Sequence, residues 1–256
     1  MSDPRITPDP ALMQRQERMQ VDVPLTDLCR KPDGPRDRQL VYGDAITLLG
    51  TSKDWSYLQA TRDGYCGWVR TSSLGPHQRP THLVSAPATH AYSAADLKSP
   101  ERVSLSFGSR VVVRTQNNSF AETSLGYIPS QHLQPADAPE TDPATVAKLF
   151  IGTPYLWGGN SRWGIDCSGL IQAALLACHI PCPGDSDLQM ALGKEATPPY
   201  QRNDLLFWKG HVALITDSEN LIHATAHSMS CLIEPIQRVI ARIEKSEGPL
   251  LAHRRL

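Results

Sequence analysis

The sequence predicts an α+β protein, with small β-barrel units placed ahead of a domain of helices and strands. Three observations carry that expectation. Residues 21–135 hold short β-rich runs punctuated by Gly, Asp and Ser, arranged as a faint repeat with no long helical pattern. Leu170-Ile-Gln-Ala-Ala-Leu-Leu-Ala177 is an apolar helical stretch that opens directly on Asp166-Cys167-Ser168-Gly169. Beyond it, residues 203–217 contribute two short apolar runs and Asn220–Thr225 a third, each bounded by turn residues and each a strand.

From the N-terminus, residues 1–20 are expected to be an arm with a short helix at Ala11–Met19. The first ten residues carry Asp and three prolines where a secretion signal needs an apolar core. That pattern leads to the expectation of a cytoplasmic protein with reduced thiols at its six cysteines. A net charge of −1 and a pI near 6.7 supply no electrostatic footprint for nucleic acid or an anionic membrane, and no apolar run reaches transmembrane length. The expected partners therefore include neither nucleic acid nor membrane, and a monomer is expected.

Two β units follow. Leu40-Val-Tyr-Gly-Asp-Ala-Ile-Thr-Leu-Leu49 aligns with Leu105-Ser-Phe-Gly-Ser-Arg-Val-Val-Val113, and Gly67-Trp-Val-Arg-Thr-Ser-Ser-Leu74 with Gly126-Tyr-Ile-Pro-Ser-Gln-His-Leu133. The copies run over 21–78 and 79–135, each a small barrel. A proline-rich acidic linker at 136–143 marks the boundary, and 144–256 form the last domain. There, 144–151 are expected to be a short helix, apolar at Val146, Leu149 and Phe150. A helix from Asp187 to Leu192 is expected to be capped by Asp185 or Ser186. Glu234–Lys245 has the pattern of a surface helix, and 250–256 that of a last strand. Cys178-His-Ile-Pro-Cys182 has a weak metal-like spacing, but it falls where the apolar helix ends before Pro181, so a helix end with small thiols is expected. No metal or organic cofactor is expected.

The chemistry concentrates at Cys167. Backbone N–H groups and the positive end of a helix favour a thiolate at the first turn, and a depressed thiol pKa suits a nucleophile. A nucleophile needs a base. His211 and His223 are an even number of residues apart, so a hairpin with an odd-numbered loop puts both imidazoles on one face of a sheet. In the tightest such register His223 faces Ala213, diagonal to His211.

The motifs Tyr155-Leu-Trp157-Gly-Gly, Asp166-Cys-Ser-Gly, Gly210-His-Val-Ala and Ile222-His-Ala, in this order, resemble the NlpC family of bacterial cell-wall cysteine peptidases. The aromatic-glycine and Gly-Trp-Val patterns of the first two units resemble bacterial SH3-like domains. The resemblance implies a papain-like C-terminal catalytic domain preceded by two small SH3-like β-barrels. It implies Cys167, His211 and His223 as catalytic residues: nucleophile, general base and the polar group that orients the base. It places Tyr155, Trp157, Ser168, Asp185 and Ser186 around the substrate, with the Cys167 backbone N–H and the Tyr155 hydroxyl at the oxyanion. The implied substrate is a peptidoglycan-derived peptide, L-Ala-γ-D-Glu-diamino acid, cut at the γ-D-glutamyl bond. Relatives that require a free N-terminal L-Ala match here at Asp166, Asp37 and Tyr65, as carboxylates and hydroxyl for the ammonium group. A catalytically silent wall-binding protein, and an amidase or acyltransferase using the same triad, are the alternatives.

Overall fold

The structure, a computed structural model, describes residues 3–256. It divides into two compact units, one ending at Ala138 and the other beginning at Pro139.

The first unit is almost entirely β. Seven antiparallel strands between Glu17 and Pro76 form one sheet, which wraps Leu28, Leu40, Ile46, Leu58 and Val69 into a dry core. The expected helix at Ala11–Met19 is absent: Pro10–Leu12 make a single 3-10 turn, and Glu17–Val21 is a strand paired with Ala45–Ser52. Pro10 supplies a turn start but nothing continues it, whereas Met19 and Val21 alternate with polar residues and suit a strand, paired here on both sides. The chain before that strand is also pinned, since Gln14 N–H donates to the Leu49 carbonyl at 2.7 Å. Gly50 makes room for this, because a Cβ there would stand 2.3 Å from the Leu12 carbonyl oxygen.

The repeat continues into local structure. Cys66–Arg70, a 3-10 turn at Thr71–Ser73 and the strand Leu74–Pro76 are matched by Gly126–Pro129, Ser130–His132 and Leu133–Pro135. Gly43 and Gly108 both sit at φ 78°, at the equivalent turns after the aromatic residues Tyr42 and Phe107. The second copy closes a five-stranded and a three-stranded sheet over Val84, Ala91, Leu105, Val111 and Ile128. Pro129 remains in its strand as the last paired residue, opposite Phe120, where a missing N–H costs least.

In the second unit, helices α1 (Pro143–Lys148) and α2 (Cys167–Ala177) pack together. The unit's sheet contains β1 (Lys194–Glu195), β2 (Leu205–Trp208), β3 (His211–Ile215), β4 (Asn220–Thr225), β5 (Ser230–Pro235) and β6 (Ala252–Arg255). Its spatial order is β1-β6-β2-β3-β4-β5, antiparallel throughout. Leu170, Ile171, Ala174 and Leu175 are fully buried as α2 lies on β3 and β4. Burying four such side chains stabilises the unit by about 1.5–3 kcal/mol for each large one.

Helix α2 ends in a Schellman motif. His179 adopts φ 55°, His179 N–H reaches the Leu176 carbonyl, and Ile180 N–H reaches that of Leu175 at 2.9 Å. Gln172 Nε2 then donates to the Cys182 carbonyl at 3.1 Å. The Cys178-His-Ile-Pro-Cys182 stretch is thus a helix stop, and no group of His, Cys, Asp or Glu among the described residues has the arrangement of a metal site. All six cysteines are free thiols. Among the described residues no helix is long and apolar enough to cross a membrane.

Two further helix boundaries differ from expectation. Helix α3 spans Ser186–Gln189 rather than Asp187–Leu192, with Asp185 at its N-cap. The last long helix, α4, spans Ile236–Ser246 and so begins two residues after Glu234. Pro235 starts it naturally, since a proline has no N–H to lose at a helix entrance, and this leaves Glu234 in β5.

Candidate active site

Cys167 is the first residue of α2, and the local sequence explains why it can be. Asp166 is the N-cap: its Oδ1 accepts from Gly169 N–H at 2.6 Å and from the Ser168 hydroxyl at 3.1 Å, while Oδ2 accepts from Gly158 N–H at 2.9 Å. One carboxylate therefore joins the helix to the Trp157-Gly158-Gly159 loop. The glycines of this motif pack backbone to backbone. A Cβ on Gly159 would meet the Gly164 carbonyl oxygen at 2.5 Å, and one on Gly169 would meet the Gly159 oxygen at 2.4 Å. From the other side, Gln189 of α3 donates to the Ser168 carbonyl at 2.9 Å.

The base arrives on the sheet. A two-residue connection, Lys209-Gly210, joins β2 to β3, with Trp208 opposite His211 and Gly210 at φ 71°. No atom lies near the missing Gly210 side chain, so backbone conformation alone accounts for the glycine. Leu214 pairs with Ile222 and Ile215 with Leu221, leaving residues 216–220, an odd number, between the last paired positions of β3 and β4. That register carries His223 opposite Ala213 and on one face with His211. His211 Nε2 and His223 Nδ1 are 2.9 Å apart, with ring centroids 5.1 Å apart. The Cys167 sulfur rests against the backbone on both sides of His211, with its S–H directed at the Gly210 carbonyl (3.9 Å) and the Val212 N–H facing the sulfur.

The relay continues past the two histidines. His223 Nε2 is 3.0 Å from Glu234 Oε2, and Arg242 of α4 grips both Glu234 oxygens at 2.7 Å each. The sequence reading missed both residues by placing Glu234 on a surface helix. The available signal was the alternation of β5: Leu232 faces His223 and Glu234 lies two residues on, hence on the same side.

Burial decides the charges. It pushes the Cys167 thiol up to about 12, helped by Asp166, against the N–H groups of Val212, Ser168 and Cys167 itself. It pulls His211 down to about 3, helped by His223 and Arg242. The expected low thiol pKa is therefore corrected: at the helix start Cys167 is only 7 % exposed, and desolvation outweighs the helix N–H groups. The resting pair is a neutral thiol beside a neutral imidazole.

The remaining expected residues have definite places. The Tyr155 hydroxyl pKa is raised by burial first, then by the charges of Cys167 and Asp166. Trp157 is 69 % exposed. With Tyr155, His211, His227 and Glu247 it lines a cavity of about 250 Å³. Ser168 is buried and bound to Asp166, and Asp185 and Ser186 are half-buried at the start of α3. In the first unit, Tyr65 is 2 % exposed within the barrel core, beneath the Arg38 guanidinium at 5.7 Å. Asp37 is paired with Arg30 at 2.7 Å.

This assembly of a cysteine at the first turn of a capped helix and strand-borne histidines coincides with a family match. Residues 152–242 match the NlpC/P60 family model. The C-terminal unit contains an NlpC/P60 domain. Residues 28–74 match the model described as the bacterial dipeptidyl-peptidase Sh3 domain, so an SH3 domain precedes the NlpC/P60 domain in the chain. Similar proteins include dipeptidyl-peptidase 6 of Lysinibacillus sphaericus, 29 % identical over 73 % of this chain and 79 % of that protein. Another is the gamma-D-glutamyl-L-lysine dipeptidyl-peptidase of Bacillus subtilis strain 168, 27 % identical over 84 % of this chain and 80 % of that protein. The crystal structure of an NlpC/P60 family protein from Bacillus cereus ATCC 10987 shares the fold, with a TM-score of 0.80, 21 % identity, and coverage of 93 % of this chain and 99 % of that one. NlpC/P60 domains of this fold are papain-like cysteine peptidases.

Proposed function

We propose that the chain is a cysteine endopeptidase that hydrolyses the γ-D-glutamyl–diamino acid bond of peptidoglycan stem peptides bearing a free N-terminal L-Ala. The observation that carries the reading is the His211–His223 bond beside a thiol held at the Gly210 carbonyl. The names of the relatives in Bacillus and Lysinibacillus support the bond and the substrate class.

In this reading the Cys167 sulfur attacks the γ-carbonyl of D-glutamate as its proton passes to His211, because a neutral pair must transfer the proton during attack. The resulting oxyanion meets the Cys167 backbone N–H, a first-turn donor of α2, and the Tyr155 hydroxyl. The His211 imidazolium protonates the leaving amine, a thioester remains, and water activated by the same imidazole hydrolyses it. His223 holds the ring in place. Asp166, whose charge is felt at both Cys167 and Tyr155, is the carboxylate closest in kind to what an L-Ala ammonium group needs.

The test uses the full chain with L-Ala-γ-D-Glu-L-Lys and its diaminopimelate counterpart, followed by mass spectrometry. Release of L-Ala-D-Glu, lost in Cys167→Ala, is expected. Thiol labelling of Cys167 without cleavage of either peptide would point to an amidase or acyltransferase instead.

A further inference from the structure

We propose that Glu234, clamped by Arg242, is a positioning residue that sets the tautomer of both imidazoles and so leaves the His211 Nδ1 lone pair for the Cys167 proton. The inference rests on the thiol-peptidase reading and extends it past the two histidines.

The argument is one of proton accounting. Glu234 is a carboxylate at neutral pH, since its hydrogen bonds to Arg242 and then to His223 hold its pKa to about 2 against the cost of burial. A carboxylate only accepts, so His223 Nε2, 3.0 Å away, must carry the hydrogen. A neutral imidazole has one N–H, which makes His223 Nδ1 an acceptor. The 2.9 Å contact to His211 then requires His211 Nε2–H to donate. His211 Nδ1 is left with its lone pair. The opposite tautomer of His223 would set a ring lone pair against the carboxylate at a residue that is fully buried, where such repulsion is least screened.

Arg242 supplies the counterweight. A lone buried carboxylate would draw a proton onto the histidine pair and leave His211 as imidazolium, unable to act as base. The bidentate grip cancels most of that charge. The charged groups acting on the pair come from the segment after β4 (His227), from β5 (Glu234) and from α4 (Arg242), while α2 brings the Cys167 thiol, with Asp166 acting on it, to the Gly210 carbonyl beside His211. Glu234 favours the charged imidazole, whereas Arg242 and His227 oppose it.

The experiment compares the full chain with Glu234→Gln, Arg242→Met and the double variant Glu234→Leu/Arg242→Met, which replaces the ion pair by apolar groups of similar size. Nitrogen-15 histidine spectra read the tautomers directly and need no substrate. The expected result is a single Nε2–H form for His211 and His223 in the parent, and mixed tautomers in the double variant. Its kcat should fall about 10- to 100-fold with KM within about two-fold. The acid limb of the rate profile should move to higher pH in Arg242→Met and to lower pH in Glu234→Gln, opposite shifts that simple loosening of the fold does not produce. Unchanged Nε2–H tautomers in the folded double variant would overturn the proposal. So would shifts of the two single variants in the same direction. The tautomer spectra stand apart from the Cys167→Ala test, so failure here is separable from failure of the peptidase reading.

Discussion

The Asp166 carboxylate holds the Gly169 N–H at 2.6 Å, so the residue before the nucleophile caps the nucleophile's own helix. Two roles meet in one side chain: structural acceptor, and negative charge within range of the Cys167 sulfur. They can be separated. Asp166→Asn keeps the cap oxygen and removes the charge, but sets its NH2 against the Gly158 N–H and should cost about 1–3 kcal/mol, whereas Asp166→Ala loses both acceptors and should cost more.

If Asp166 receives the L-Ala ammonium group, acetylating that amine should lower kcat/KM by about 100-fold or more in the parent chain. The ratio between free and acetylated peptide should shrink toward unity in Asp166→Asn. Equal rates on the two peptides in the parent would remove amine recognition from the proposed function.

Cys167→Ala should abolish turnover, with rates at the uncatalysed background, and leave circular dichroism and the melting temperature essentially unchanged. The side chain is small, and its removal vacates little core. His223→Ala should lose less, since nucleophile and base remain in place. A Cys167→Ala chain that still cleaves would end the cysteine-peptidase reading.

The thiol and imidazole pKa values, near 12 and near 3, make a distinct pH prediction. Between them both groups are neutral, and only the thiolate reacts with iodoacetamide. Below the thiol pKa its population rises tenfold per pH unit, so alkylation should accelerate about tenfold per unit across neutral pH with no acid plateau. Asp166→Asn removes a charge that raises the thiol pKa and should move the curve to lower pH. A plateau reached below about pH 5 would reveal a preformed thiolate–imidazolium pair instead.

The glycine cluster can be tested by contrast. Gly159→Ala and Gly169→Ala place a methyl group against backbone that cannot yield, and should cost about 1–3 kcal/mol or more along with activity. Gly152→Ala faces open space at φ 80° and should cost only about 1–2 kcal/mol of backbone strain, with turnover retained. Thermal melts and peptide cleavage distinguish the three.

Local pattern carried much of this protein. Asp166 before Cys167 announces a helix cap, and the apolar run after it announces a helix buried on all sides, because both are decided within a few residues. The parity between His211 and His223 confines them to one face or two, and the strand period leaves no third choice. Gly210 and the matched turns at Gly43 and Gly108 are legible for the same reason: left-handed backbone selects glycine wherever the fold places it. The Ala11–Met19 helix failed because a strand there is decided by Ala45–Ser52, thirty residues away, and no local signal reports a partner.

What the sequence determined by itself was therefore the cap at Asp166, the buried helix after it and the parity that let the two histidines share a face once β3 and β4 took their register. Only the tertiary structure decided the charges and the length of the relay. Packing α2 onto β3 and β4 buried the thiol and reversed the expected shift of its pKa, since desolvation depends on neighbours that sequence does not name. Ending β5 at Pro235 turned Glu234 inward, and α4 laid Arg242 across it. A carboxylate on a surface helix and a carboxylate that holds two imidazoles are the same residue, separated by two positions of helix start and by what folds over them.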